Sequence, residues 1–325
     1  MKDNSILITG GAGYIGSHLL FSLLRKKYKV VVLDNLSTGN KKFIPKNIKL
    51  IKVDLLDKQK LKQKLNKINF STIIHLAANI DVIESAKSPK KYLVDNLTMT
   101  QNIIEVAELK KVKNFIFSST AAVYGDSTNV KVSEKTPPRP TSNYGLGKLF
   151  CENLVMQYCA EKKINFIILR YFNVVGAEVQ SKIGQLKKGS LFKNIASSIV
   201  NKKFSLNIYG TNHPTKDGSA IRDYIDVRDL ALIHIHVIKK IKKINNLILN
   251  CGYKKPYTVL EIVENFSRLI NKKIKLIKRK KRLGDISKIY SDNSKLIKNY
   301  PDWKQMYDLK SSVESSLEWE SYLKK

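Results

Sequence analysis

Ser5-Ile6-Leu7-Ile8-Thr9-Gly10-Gly11-Ala12-Gly13-Tyr14-Ile15-Gly16-Ser17-His18 is the stretch on which the fold of this chain turns. Residues 5–9 read as a short buried strand that runs straight into glycines at positions 10, 13 and 16. That spacing permits a tight turn, lets the backbone approach a pyrophosphate, and allows the next helix to pack closely on the strand. The helix then aims its first N–H groups and its dipole at the anion. A lone glycine turn can simply end a strand, but here a helix-length segment, 16–27, follows. A second strand, 29–33, then stops at Asp34. A carboxylate at that point accepts both ribose hydroxyls of a dinucleotide and repels a 2′-phosphate, so the loop predicts NAD rather than NADP.

The alternation continues outward from this unit. Apolar, β-branched runs occur at 49–53, 72–75, 114–117 and 166–169, separated by helix-length segments at 58–66, 89–109 and 144–161. Strand–helix–strand repetition predicts an α/β fold, a Rossmann-type doubly wound parallel sheet covered on both faces. After Asn173 the pattern gives way to loops, Gly189, Gly210 and a turn cluster at 214–218. A helix at 227–239 and a strand at 246–250 are expected to return to the sheet. The expected division is therefore residues 1–172 with 227–252 as the dinucleotide-binding domain, and 173–226 with 253–325 as a smaller, interleaved α/β lobe that binds substrate.

The chain has 325 residues, 43% of them hydrophobic, enough to bury a sizeable core. No apolar run has the length of a membrane span, and 5–9 is too short for a signal-peptide core, so no membrane partner is expected. Three cysteines, Cys151, Cys159 and Cys251, make no CxxC pair, which argues against a disulfide framework or a zinc cage and for a reducing, cytoplasmic setting. The net charge is +32, carried by 51 Lys and only 8 Arg. Arginine is the side chain favoured for bidentate phosphate and guanine recognition, and the lysines spread from Lys2 to Lys325. The charge reads as a solvated basic surface, with no nucleic-acid partner expected. The densest run, Lys272 to Arg282, is where a polyanion contact would be sought.

Tyr144 and Lys148 stand one helical turn apart and share a face. An ammonium beside a phenol favours the phenolate and suits it to proton transfer near neutrality. Ser118, Ser119 and Thr120, after the strand at 114–117, offer hydroxyls to hold a substrate oxygen near that phenol. His234 and His236 are two apart and cannot face one metal from a helix, and His18, His75 and His213 are scattered, so no metal site is expected.

These residues together resemble the extended short-chain dehydrogenase/reductases, the NAD-dependent epimerase/dehydratase family, and within it the UDP-glucose 4-epimerases. The similarity runs through ThrGlyGlyAlaGlyTyrIleGlySerHis at 9–18, AspAsnLeuSerThrGly at 34–39, ValAspLeuLeuAsp at 53–57 and HisLeuAlaAla at 75–78. It continues in GluSer at 84–85, Asn96, SerSerThrAlaAlaValTyrGly at 118–125, AsnTyrGlyLeuGlyLys at 143–148 and LeuArgTyrPheAsn at 169–173. ThrLysAspGlySer at 215–219, IleArgAspTyrIle at 221–225 and Arg282-Leu283-Gly284-Asp285 complete it; the AspGly…ArgAspTyrIle block marks the 4-epimerases.

The resemblance implies an isomerase of nucleotide-sugar and galactose metabolism that interconverts UDP-galactose and UDP-glucose with tightly bound NAD. Gly10, Gly13, Tyr14, Ile15 and Gly16 would hold the cofactor, with Asp34, Asn35, Leu36, Ser37, Thr38 and Gly39. Asp54 and Leu55 would flank the adenine; Leu76, Ala77, Ala78 and the residues on to Ile80 would line the cofactor, and Asn96 and Phe172 would contact or support it. Asn173, Ser190, Asn207, Ile208, Tyr209, Arg222, Arg282 and Asp285 would hold the UDP part, two guanidiniums being suited to a diphosphate. Thr120 would bridge the sugar 4-hydroxyl while Tyr144 as phenolate removes its proton and hydride passes from C4 to the nicotinamide. The 4-keto sugar then turns over and takes the hydride back on its other face. Lys148 would lower the Tyr144 pKa and bind the nicotinamide ribose. A homodimer pairing through the helices near 89–109 and 144–161 is also implied.

Departures from the family pattern are Ile80 in place of Lys, Val174 in place of Pro, Asp226 in place of His, and Ser190 in place of Asn. Ile289 falls where residue size gates N-acetylated sugars and is smaller than the Tyr of strict glucose/galactose enzymes, so a UDP-N-acetylglucosamine or dual-specificity epimerase is the first alternative. A UDP-glucuronate epimerase or decarboxylase is the next, although no pocket for a sugar carboxylate is identified. Sugar 4,6-dehydratases need an acid pair where Ala121 and Ala122 stand. A non-catalytic NAD-binding or basic scaffold protein has no use for Thr120, Tyr144 and Lys148 together. For Arg222, an ion pair with the neighbouring Asp223 is the alternative to a ligand contact.

Overall fold

The computed structural model describes residues 5–126, 130–281 and 285–325. Seven strands, β1 (Ile6–Thr9), β2 (Val30–Asp34), β3 (Lys49–Lys52), β4 (Thr72–His75), β5 (Asn114–Thr120), β6 (Asn165–Tyr171) and β7 (Leu247–Cys251), form one sheet in the order β7-β6-β5-β4-β1-β2-β3. Every pairing in it is parallel. The strands expected from the sequence are all present, shifted by a residue or two at their ends. β5 runs three residues further than expected, so Ser118, Ser119 and Thr120 belong to the strand itself.

A strand buried on both faces reads as a nearly continuous apolar run, and successive residues serve opposite layers. Ile6, Ile8, Val30, Val32, Ile74, Ile116, Ile167 and Leu169 join Leu19, Leu20 and Leu23 of the helix Tyr14–Arg25 and Leu230 and Ile233 of the helix Val227–Lys240. Leu7, Leu33, Ile73, Phe115, Phe117 and Ile168 pack on the other side. There they meet Leu61, Ile103 and Val155 of the helices Lys58–Leu65, Asn96–Leu109 and Asn143–Glu161. The helix expected over 89–109 opens instead with a π-helical turn, Lys91–Asp95.

Strand order reverses between β1 and β4, which opens a crevice at the carboxyl ends of the strands. The loops after β1, β4 and β5 gather there. Beyond it the chain builds more regular structure than its sequence announced. Ile221–Asp226 lies between a parallel strand, Asn173–Val175, and an antiparallel one, Pro256–Thr258. Ser205–Tyr209 pairs in parallel with Lys275–Arg279. These strands pack on Phe192, Ile195, Phe266 and Val313. The run from Lys272 thus includes a ribbon strand whose lysines project to solvent, with Ile274 anchored in the core and Lys272 over the Phe204 ring.

Three histidines are sealed in. His75 lies between the Thr9 hydroxyl (2.7 Å) and the Thr100 hydroxyl (3.3 Å), His234 between the Leu230 carbonyl (2.9 Å) and the Tyr171 hydroxyl (2.7 Å), and His18 against the Tyr14 carbonyl (2.7 Å). Burial pushes their pKa values down to about 3 for His75 and about 4 for His18 and His234. The unfolded chain therefore binds protons that the native state refuses, and the stability these groups protect is present above their unfolded pKa and lost as pH falls below it. Each contributes about 1.4 kcal/mol per pH unit between roughly pH 6.5 and 4. We expect stability to fall steeply below pH 6.5, with His75→Asn lessening that slope by about 1.4 kcal/mol per pH unit. A slope identical to that of the parent protein in a calorimetric pH series would refute the assignment.

Candidate active site

The floor of the crevice is set by close backbone approach. Gly10 has φ +71°, and its N–H donates to the Leu33 carbonyl at 2.8 Å. A Cβ on Gly16 would fall 2.2 Å from the Gly10 carbonyl oxygen, so only glycine lets the first turn of the helix Tyr14–Arg25 sit against the loop. Gly13 caps that helix without a side-chain hydrogen bond, leaving the first-turn N–H groups of Tyr14, Ile15 and Gly16 without intrahelical acceptors. Asp34, at the end of β2, is buried beside them. One oxygen accepts from Ala12 N (2.9 Å) and the other from Leu36 N (2.8 Å). Burial raises its pKa and those two N–H groups oppose the rise. A backbone cradle beside a fixed carboxylate fits the pyrophosphate and ribose of a dinucleotide.

The remaining expected cofactor residues surround this cradle. Asn35 donates to Asp54 (2.9 Å) and accepts from Ser37 N (3.0 Å), while Leu36 takes φ +62° and Ser37, Thr38 and Gly39 bring the chain back towards Ala12 and Asp34. Asp54 is thereby held by Asn35 and by Leu56 N, and the side chain of Leu55 is buried in the core. Leu76 and Ala77 hydrogen-bond back to Thr9, which ties the loop through Ala78 to the end of β1. Asn96 uses both ends of its amide on the backbone of Asn79, at 2.8 and 3.0 Å, so it braces this loop. Phe172 is buried against Ala121 and Ile289.

The helix Asn143–Glu161 carries Tyr144 and Lys148 to the end of β5. Gly145 and Gly147 let it press on its neighbours: a Cβ at either position would meet the Ala122 or the Tyr92 carbonyl oxygen at 2.5 or 2.1 Å. Thr120 hydrogen-bonds the Tyr144 phenol and accepts from Ala122 N at 3.1 Å. Lys148, 3% exposed, donates to the Ser118 carbonyl at 2.8 Å and lies over the Phe117 ring. Burial pushes the phenol up to about 12, and the opposing influence is the Thr120 hydrogen bond. Burial brings Lys148 down to about 8. The expected lowering of the phenol by Lys148 is thus not seen in the protein by itself. The ammonium is directed at a strand carbonyl, and desolvation outweighs it.

Two side chains that sequence reading passed over hold this helix in place. Glu152 is fully buried and takes Arg170 in a two-point pair, at 2.9 and 2.6 Å, together with the Ser119 hydroxyl. The signal was present in Tyr144, Lys148 and Glu152 at steps of four, which share one helix face.

The expected nucleotide-binding residues come together only in part. Arg222 pairs with Asp285 at 2.7 Å, which overturns the alternative of a pair with Asp223; that carboxylate is fully buried and accepts from Tyr253 N, Lys254 N and Ser291. His213 and Lys281, also unforeseen, meet at Ser287 (3.1 and 3.3 Å) beside this pair. Asn207 accepts from Arg279 at 3.0 Å and Tyr209 is exposed, whereas the Ile208 side chain turns into the core. Ser190 caps the helix Leu191–Val200 and bonds Gln185 at 2.6 Å, and Asn173 is exposed at the edge of the crevice strand. Ile289 is buried against Phe172 and Ala121. Arg282 lies outside the described residues.

This fold and site match a known family. The model of the NAD dependent epimerase/dehydratase family matches residues 6–252, and the chain belongs to that family. Among its relatives, the UDP-glucose 4-epimerase of Rhizobium meliloti is 32% identical over 324 residues, covering 99% of this chain and 98% of the relative. The crystal structure of a Bifidobacterium longum UDP-glucose 4-epimerase in complex with NAD+ and UDP superposes with a TM-score of 0.92 at 32% identity, covering 98% of each chain. The UDP-Glc/GlcNAc 4-epimerase of Campylobacter jejuni is 36% identical, with a TM-score of 0.83 over 98% of this chain and 99% of that one.

The cradle makes a direct expectation. Gly16→Ala drives a methyl group into the Gly10 carbonyl. The purified variant should carry less than a tenth of the parent's bound dinucleotide, read as nucleotide released on denaturation. Parent-like stoichiometry would show that the loop does not hold it.

Proposed function

We propose that this protein is a UDP-glucose 4-epimerase that interconverts UDP-galactose and UDP-glucose. The observation that carries the reading is the placement of Thr120, Tyr144 and Lys148 at the end of β5, beside the glycine cradle, with no acid following Thr120. Similarity to 4-epimerases over nearly the full length of both chains supports it. The loop from Gly10 to Gly16, Asp34 to Gly39 and the loop from Leu76 to Ala78 would hold NAD, which would supply the hydride acceptor for the sugar C4. Thr120 orients the 4-hydroxyl and keeps the Tyr144 oxygen in hydrogen-bonding reach of it. Tyr144 takes the hydroxyl proton and later gives it back. Its high pKa makes the ionised phenol depend on nearby positive charge, of which Lys148 is the protein's own source.

Arg222, Asp285 and Arg282 would hold the diphosphate side, with Asn173, Ser190, Tyr209 and the backbone at Asn207 and Ile208 around the uridine end. Residues 1–172 with 227–252 then form the dinucleotide-binding domain, and 173–226 with 253–325 the UDP-sugar lobe. A tightly gripped nucleotide and a loosely held hexose would suit a sugar that must turn over between two hydride transfers. A homodimer is supported by Val94, Leu109 and Phe150, exposed on or next to the helices Asn96–Leu109 and Asn143–Glu161. The setting we infer is cytoplasmic carbohydrate metabolism, including galactose metabolism.

A second reading, acceptance of N-acetylated UDP-hexoses, is favoured by Ile289, an aliphatic side chain packed against Phe172 and Ala121. Turnover of UDP-galactose without added NAD tests the first reading, and UDP-N-acetylgalactosamine run in parallel tests the second. Failure of both, with NAD supplied, removes the epimerase assignment. Tyr144→Phe should lower kcat by at least about a thousand-fold with Tm unchanged, since the proton path is lost and the packing is kept. A variant retaining a tenth of the parent rate would exclude Tyr144 as the proton carrier. Sedimentation should give twice the mass of one chain, and Phe150→Lys should halve it.

A further inference from the structure

Ser119, Glu152 and Arg170 form a buried charged cluster one residue away from Thr120 and one helical turn away from Lys148. Ser119 and Arg170 stand opposite each other in the β5–β6 register, and Glu152 receives hydrogen bonds from both. One carboxylate therefore joins the helix bearing Tyr144 to both strands beneath it. The Arg170 guanidinium leans on the Tyr124 ring at 4.8 Å, and the Tyr124 hydroxyl donates to Asn250 of β7 at 2.7 Å. Nη1 of Arg170 is buried with no partner among the described residues. A buried pair that leaves a donor unsatisfied is a poor way to gain stability, because well-packed apolar side chains of similar volume do as well or better. Its presence here has another reason.

That reason is visible around Lys148. Its own helix brings Tyr144, Cys151 and Glu152 to it; β5 brings the Ser118 carbonyl and the Phe117 ring; β4 brings His75, which burial keeps neutral. Thr100 approaches from the neighbouring helix through Cys151. Glu152 is the one carboxylate in this set, and the two cations lean on different rings, Lys148 on Phe117 and Arg170 on Tyr124. Burial alone drives Lys148 towards neutrality; Cys151, and after it Glu152, oppose it.

We propose that Glu152 is a positioning residue that acts through Lys148: its carboxylate fixes the helix to β5 and β6, and its charge holds the buried ammonium protonated while Tyr144 works. The kinetic consequence rests on the epimerase reading; the charge state of Lys148 does not.

Glu152→Gln keeps the shape and removes the charge. The alkaline limb of kcat/KM for UDP-galactose should move down by about one pH unit, the effect of one nearby opposite charge. Activity relative to the parent should then fall about ten-fold more at pH 8.5 than at pH 6.5. Should that variant fail to fold, Glu152→Gln combined with Arg170→Gln removes the pair without leaving a buried charge and should show the same displaced limb. In protein labelled with 13C at the lysine ε-carbon, the Lys148 resonance, assigned by its loss in Lys148→Met, should titrate about one unit lower in either variant. That readout needs no turnover and separates failure of this proposal from failure of the epimerase assignment. A parallel pH profile with uniformly reduced rate, or an unmoved Lys148 titration, would make Glu152 merely structural and overturn the proposal.

Discussion

The contact of Gly16 with the Gly10 carbonyl, closer than any side chain permits, fixes where the N-terminal half can go. It sets the helix Tyr14–Arg25 hard against β1, which aims the helix amides along the crevice. The same turn brings Gly10 against the backbone of Ala77, so the loop after β4 has to lie beside the cradle. It also carries Ala12 N to Asp34. One steric requirement therefore places an open helix N-terminus, a fixed carboxylate and the wall of the crevice together. The opposite wall repeats the device: Gly145 and Gly147 let a second helix descend onto the turn after β5 and set Tyr144 beside Thr120.

Charge is used differently in the two halves. Around the phenol it is buried and paired: Glu152 with Arg170 and Ser119, and Lys148 with a carbonyl. Such groups cannot relax towards solvent, so their mutual arrangement is kept through a reaction cycle. Around Arg222 it is partly exposed, with Asp285 paired to it and His213 and Lys281 meeting at Ser287. The pair with Asp285 fixes the geometry of the Arg222 guanidinium and occupies one of its donors. Nearly all of the +32 charge takes no part in either arrangement.

Much of this was legible from residues close together in the chain. The strand, glycine loop, helix and Asp34 follow one another within thirty residues, and their meaning is local steric and dipolar chemistry. The seven strands could be placed because doubly buried strands are continuously apolar. The strand Ser205–Tyr209 escaped notice because only Leu206 and Ile208 face the core, and its partner, Lys275–Arg279, is disguised by lysines. Pairings across long separations were also out of reach: Arg222 and Asp285 were placed at the same end of the site, but nothing near Arg222 points to a direct pair with Asp285 sixty-three residues on. The phenol–lysine pair was read as a simple Coulombic couple, and burial, which no local pattern reveals, reversed the balance. Glu152 was within reach, four residues beyond Lys148, but its meaning depends on Arg170 across the sheet.

The position of β7 has a consequence for how the molecule comes into being. The strand Leu247–Cys251 closes the β6 side of the sheet, yet the ribosome delivers it only after the chain has left the sheet and built the elements between Asn173 and Lys240. Until then the outer edge of β6 presents unpaired N–H and C=O groups flanked by Ile167, Ile168 and Leu169. A nascent chain stopped short of residue 247 is thus a template for pairing with another copy rather than an early-folded unit. The order in which this sheet is assembled therefore leaves the β6 edge open until residue 251 has been made.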